Sequence, residues 1–165
     1  MEPPIDKKPR AVLFDRDGTL VIDVPYNGDP KQVVLVPGAE EALDALRAAG
    51  LKVGVISNQS GVARGMITID QVESVNRRIE ELCGPFHVWL YCPHGPADGC
   101  ECRKPLPGMV LEAARLLDID PADCIVVGDK QSDMEAADAA GALGILFDHG
   151  TTHLPDIAHD VLNGF

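Results

Sequence analysis

Basic residues are scarce in this chain: 14 Lys and Arg stand against 26 Asp and Glu, a formal net charge of −12. That balance repels a phosphate backbone, so nucleic acid is not expected as a partner. Long apolar runs are missing too. None exceeds a few residues, which leaves no candidate for a membrane-spanning helix. The opening stretch, Met1–Arg10, lacks the apolar core of a secretory signal, and a cytoplasmic protein with no membrane partner is expected. The 5 cysteines are an odd count, and three of them (Cys92, Cys100 and Cys102) crowd together, which suits a metal better than a disulfide framework. Internal repeats and low-complexity segments are absent.

What is there is an ordinary globular composition, 45% apolar and 24% charged over 165 residues, enough for one sizeable core. We expect a short tail over residues 1–10 and a single domain over residues 11–165. Apolar runs of strand length recur at Ala11–Phe14, Lys52–Ile56, Val88–Tyr91, Cys124–Val127 and Leu143–Phe147. They show little alternation, as strands buried on both faces do. Helical patterns lie between them. Ala39–Ala49 is stopped by Gly50, and Thr68–Cys83 opens on the capping box Thr68-x-x-Gln71. Pro107–Leu117 carries a stripe of Val110, Leu111, Ala114 and Leu117, and Ser132–Ala140 opens on a second capping box, Ser132-x-x-Glu135. The alternation predicts βαβ units and a parallel sheet, with a long segment, Val21–Val36, that has room for a small hairpin.

In such folds ligands bind beyond the carboxyl ends of the strands. Those positions read Asp15-Arg16-Asp17-Gly18-Thr19, Ser57-Asn58-Gln59-Ser60-Gly61, Cys92-Pro93-His94 and Gly128-Asp129-Lys130, all polar or reactive. Two carboxylates two residues apart, Asp15 and Asp17, are costly unless they share a proton or a cation. A divalent ion would resolve the repulsion and clamp an anionic substrate. An ionised Asp can attack phosphorus, and a second carboxyl can protonate the leaving oxygen. Separately, Cys92-x-His94 and Cys100-x-Cys102 offer three thiolates and one imidazole, a closed tetrahedral zinc set with a structural role. Zinc there would stiffen the loop 95–99 as a lobe over the site and place Arg103-Lys104 directly after the last ligand. Cys83 and Cys124 read as ordinary buried cysteines. His87, His149, His153 and His159 carry no assigned role.

Asp15-Arg16-Asp17-Gly18-Thr19 after an apolar strand resembles the first motif of the haloacid dehalogenase-like (HAD) phosphatases. The later strand ends follow that family in order: Ser57 resembles its second motif, Lys104 its third, and Gly128-Asp129 with Asp133 its fourth. The resemblance implies a Rossmann-like α/β/α fold in three layers with a mainly parallel central sheet. With no insertion long enough for a cap domain, the site should be capless and covered by loops. It implies Asp15 as nucleophile, Asp17 as acid and base, and Ser57 and Lys104 as holders of the phosphoryl group. Mg2+ would sit among Asp15, the backbone carbonyl of Asp17, and Asp129. Asp133 is either a support for that metal or a plain helix-start acid.

Cys102-Arg103-Lys104-Pro105 and Ser57–Gly65 are similar to the heptose-bisphosphatase and histidinol-phosphatase branch of the family. That branch implies hydrolysis of a small phosphosugar, heptose 1,7-bisphosphate to the 1-phosphate, with histidinol phosphate as the alternative. Its substrate contacts map to Asp23, Tyr26, Ser57, Asn58, Gln59, Ser60, Arg103, Lys104 and Lys130, with Arg64 in reserve for a second phosphate. Ser57 stands where that branch commonly has Thr, and the zinc loop is short. A monomer is expected.

Overall fold

The computed structural model describes residues 8–164, so most of the expected N-terminal tail lies outside the described residues. Five strands, β1 (Ala11–Phe14), β2 (Lys52–Asn58), β3 (Val88–Cys92), β4 (Cys124–Gly128) and β5 (Leu143–Leu146), form one sheet in the order β3-β2-β1-β4-β5. Every pairing is parallel. The order places β1 at the centre, with β2 and β4 diverging from it on either side. That is the topological switch point where α/β sheets open a crevice.

The helices are α1 (Ala39–Ala48), α2 (Ile69–Cys83), α3 (Gly108–Leu117), α4 (Gln131–Ala140) and α5 (Leu154–Asn163). Alternate residues of β1 and β4 feed two cores. Val12, Phe14, Ile125 and Val127 pack with α1, α2 and α5, whereas Ala11, Leu13, Cys124 and Val126 pack with α3 and α4. The sheet is thus a middle layer between two helical ones, as expected.

Several boundaries and patterns differ from the sequence reading. The edge strands β3 and β5 are only half buried, because an edge strand is packed less completely than the three central ones. Leu111 is 44% exposed, and α3 instead buries Met109, Val110, Ala113, Ala114 and Leu117. The capping box expected at Ser132 is displaced by two residues. The Lys130 N–H donates to Asp133 Oδ2 at 3.2 Å, and α4 starts at Gln131. The box expected at Thr68 forms in both directions, with bonds of 2.9 and 3.1 Å to Gln71. Val21–Val36 closes on one antiparallel bridge, Val21 to Leu35, not on a hairpin. Helix α5 had no counterpart in the sequence reading. It packs on α1, burying Leu154, Ile157, Ala158 and Val161.

Candidate active site

The chemistry gathers at the carboxyl edge of the sheet. β1 delivers Asp15, whose N–H donates to the Val127 carbonyl of β4 at 2.9 Å, so the residue is pinned to the central strand pair. β2 ends on Ser57 and Asn58, and β4 ends on Gly128 just before Asp129. A cleft of about 280 Å³ opens there, bordered by Asp15, Asp17, Asp23, Tyr26, Ser60 and Lys104 among others. Asn58, Gln59 and Lys130 also reach it. The segments standing over this edge are loops.

Two glycines make the close approach possible. Gly18 has φ +85°, a left-handed backbone that side chains rarely adopt, and a Cβ there would strike the Asp129 carboxylate. Gly128 has no room for a Cβ against the Asp133 carboxylate. Asp129 and Asp133 can therefore fold back over the strand ends.

Lys104 is the hub. It is 4% exposed, and its Nζ donates to Asp15 Oδ1 at 2.9 Å, Asp133 Oδ1 at 2.6 Å and the Ile56 carbonyl at 3.0 Å. Burial works against its ammonium, but the facing carboxylates outweigh burial and hold its pKa above the ordinary lysine value. Burial pushes the Asp15 carboxyl up to about 6, Lys104 opposes the rise, and Asp129 adds to it. Burial, reinforced by Asp15, likewise raises Asp133. Asp133 is itself buried, and its Oδ1 meets Lys104 together with Asp15 and the Ile56 carbonyl.

Asp15, Asp129 and Asp133 bring carboxylate oxygens within 4.8 Å of one another. Three carboxylates against one ammonium leave 1 − 3 = −2 charges, and the donors are all oxygen. That set fits Mg2+. Asp133 spends both oxygens, Oδ1 on Lys104 and Oδ2 on the Lys130 N–H, whereas Lys104 takes only Oδ1 of Asp15, so Asp15 and Asp129 are the acids better placed to hold an ion. Asp17 lies beside this group, with its carboxylate turned to Arg16 and Gln59.

A second cluster lies at the end of β3. Cys92, His94, Cys100 and Cys102 also bring their ligand atoms within 4.8 Å of one another. Tetrahedral zinc would space sulfurs about 3.8 Å apart, and sulfur and nitrogen about 3.5 Å apart. The Cys92–Cys100 sulfurs are 3.7 Å apart, and His94 Nδ1 stands 3.4 and 3.3 Å from the Cys92 and Cys102 sulfurs. The Cys92–Cys102 edge is tighter, at 2.9 Å. The residues fit a zinc ion.

Not every expected substrate contact faces the cleft. Arg103 does not border it. Its guanidinium donates to the His94 carbonyl at 3.4 Å beside Gly95, Pro96 and Pro105. The Asn58 amide is occupied with the Lys104 backbone, accepting from its N–H at 3.0 Å and donating to its carbonyl at 3.1 Å. Arg64 sits over the Tyr26 ring, 5.9 Å from its centre. Sequence reasoning missed Arg16, which anchors Asp17, and Asn76, which accepts from Arg16. It also missed Thr19, 3.4 Å from Asp129, and His149, whose Nε2 meets the Gly18 carbonyl. Arg16 lay inside a quoted motif, but nothing in the sequence marks a charged residue as buried.

Fold and site together define a hydrolase. Residues 26–141 match the haloacid dehalogenase-like hydrolase family, and the chain belongs to it. It is 38% identical over 146 residues to D-glycero-beta-D-manno-heptose-1,7-bisphosphate 7-phosphatase of Pseudomonas putida, covering 86% of this chain and 83% of that one. The Escherichia coli protein of the same name is 38% identical over 141 residues, covering 79% of this chain and 74% of its own length. Among solved structures, D,D-heptose 1,7-bisphosphate phosphatase from B. bronchiseptica, complexed with magnesium and phosphate, superposes with a TM-score of 0.83. It is 31% identical, and the match covers 93% of this chain and 98% of that one.

Proposed function

We propose that this protein is a phosphatase that removes the 7-phosphate of heptose 1,7-bisphosphate. The observation that carries the reading is the convergence of Asp15 and Lys104 in one cleft, with Ser57 beside it through Gln59 and Asp129 beside it next to Asp15, from four separate segments. The similar proteins named above favour this substrate over histidinol phosphate.

Asp15, ionised above about pH 6, attacks phosphorus. The bond to the sugar oxygen breaks, and the Asp17 carboxyl gives that oxygen its proton. The Asp17 carboxylate then takes a proton from the water that attacks the aspartyl-phosphate, freeing phosphate and restoring Asp15. The Ser57 hydroxyl and the Lys104 ammonium hold the phosphoryl oxygens meanwhile. Asp15, Asp129 and the Asp17 carbonyl would hold Mg2+, which would neutralise the acidic mouth and polarise the phosphoryl group. Zinc on Cys92, His94, Cys100 and Cys102 would have every position filled by protein and hold the loop that carries Lys104.

Asp23, Tyr26 and Ser60 are placed to meet the sugar. Lys130, at the rim, is better placed than Arg103 to meet a second phosphate. One domain, a monomer and a cytoplasmic setting complete the reading. Among the described residues no helix is long and apolar enough to cross a membrane. The test is kcat/KM on heptose 1,7-bisphosphate against histidinol phosphate. A preference of tenfold or more for the bisphosphate is expected, and the reverse order would overturn the substrate assignment.

A further inference from the structure

Asp17 is gripped from two sides. Arg16, 1% exposed, turns its charge inward and meets both carboxylate oxygens, Nε to Oδ1 at 3.0 Å and Nη2 to Oδ2 at 3.1 Å. Its third nitrogen donates to Asn76 Oδ1 on α2 at 2.9 Å, which ties the fork to a helix packed in the core. From the cleft side, Gln59 Nε2 donates to Asp17 Oδ2 at 2.9 Å and to Ser57 Oγ at 2.7 Å.

Hydrogen-bond bookkeeping gives these contacts a consequence. While Asp17 is ionised, Gln59 must face it through its nitrogen, since its carbonyl would otherwise meet a carboxylate with no proton between them. Ser57 accepts from Gln59, so its own proton is left to donate elsewhere, and the cleft is where a phosphoryl oxygen would sit. On Asp17, Oδ2 accepts two bonds and Oδ1 only one. Oδ1 is therefore the oxygen with a site left to carry a proton.

We propose that Arg16 and Gln59 are positioning residues for acid–base catalysis, holding Asp17 so that Oδ1 passes the proton and holding Ser57 as a donor. This rests on the phosphatase reading. Loss of the grip would impair protonation of the leaving oxygen, which matters for a sugar alkoxide and little for a phenolate that leaves unaided. kcat/KM covers the steps up to departure of the leaving group, so it isolates the acid role from the later attack by water.

The experiment compares kcat/KM on heptose 1,7-bisphosphate and on p-nitrophenyl phosphate for wild type, Arg16→Met and Gln59→Met. Arg16→Met is expected to lose tenfold or more on the sugar phosphate and far less on the aryl ester, whereas Gln59→Met, which also frees Ser57, should lose on both substrates but at least threefold more on the sugar phosphate. Gln59→Met buries no unpaired charge, so it carries the test if Arg16→Met fails to fold. Equal losses on both substrates, or no loss on either, would overturn the proposal while leaving a phosphatase. A wild type inactive on both would overturn the phosphatase reading itself, and this proposal with it.

Discussion

The two ligand clusters sit at neighbouring strand ends, and the protein supports them in opposite ways. The carboxylate centre contains its own counter-ion: Lys104 stands among Asp15, Asp133 and the Ile56 carbonyl, and Asn58 clamps the Lys104 backbone. The thiol cluster has no built-in cation. Its loop is held by a few local bonds, such as the Asp98 side chain to the Gly95 N–H at 2.7 Å and the Gly108 N–H to the Glu101 carbonyl at 3.1 Å. Ion pairs in the first centre fix geometry without a metal, so a metal there serves chemistry. In the second, a metal would replace packing the loop lacks and would serve structure.

The largest expected effect breaks the first centre chemically without breaking it structurally. Asp15→Asn should lower turnover on the order of 10³-fold or more, since the covalent route is lost. The circular dichroism spectrum should not change, because Lys104 keeps Asp133 and the Ile56 carbonyl. A near-normal rate would remove Asp15 as nucleophile.

Next comes the second cluster. Elemental analysis should find about one zinc per chain, and Cys102→Ser or chelation should lower both Tm and activity, the latter on the order of tenfold. Added Mg2+ should not restore it. Removing Mg2+ alone should abolish activity and lower Tm much less than zinc loss does. Equal Tm losses for the two metals would erase the contrast between the clusters. A smaller effect should follow Gly18→Ala. The left-handed backbone and the blocked Asp129 carboxylate should cost on the order of 1–3 kcal/mol in stability. The Mg2+ concentration needed for half-maximal rate should rise, and an unchanged Mg2+ requirement would show that Asp129 does not hold the ion.

Much of this was legible in the sequence because strand ends are where chain order and spatial order coincide. Asp15, Ser57, Cys92 and Asp129 each follow an apolar run, and parallel pairing brings those runs to one edge. The thiol set was readable because its members are close in sequence. What escaped was bonding across sequence distance. The Arg16–Asn76 bond spans 60 residues, the contact of His149 with Gly18 spans 131, and no local pattern encodes either. Arg103 was expected at the site from the family resemblance and because its planar fork suits phosphate, but it does not border the cleft, since successive side chains in an irregular loop diverge. Helix α5 was missed because residues 148–165 matched no motif, although Leu154, Ile157, Ala158 and Val161 have helical spacing.

The smallest effect is the pH dependence of stability, and it separates the Asp15 carboxylate from its surroundings. Its pKa is raised from 3.8 to about 6 by burial in the metal-free protein. A carboxyl with a raised folded-state pKa contributes stability that is full below about pH 4 and is lost as pH rises through 6. Asparagine has no such titration. The Tm of Asp15→Asn minus that of wild type should therefore grow between pH 4 and pH 7 when both are measured in EDTA. Saturating Mg2+ should shrink the difference, because the ion binds the ionised carboxylate of the wild type and gains nothing from the amide. In activity the same competition should move the acid limb of kcat/KM to lower pH as Mg2+ is raised. A Tm difference flat across this range would mean that Lys104 already compensates the buried charge, and that the carboxylate centre needs its metal for neither stability nor ionisation.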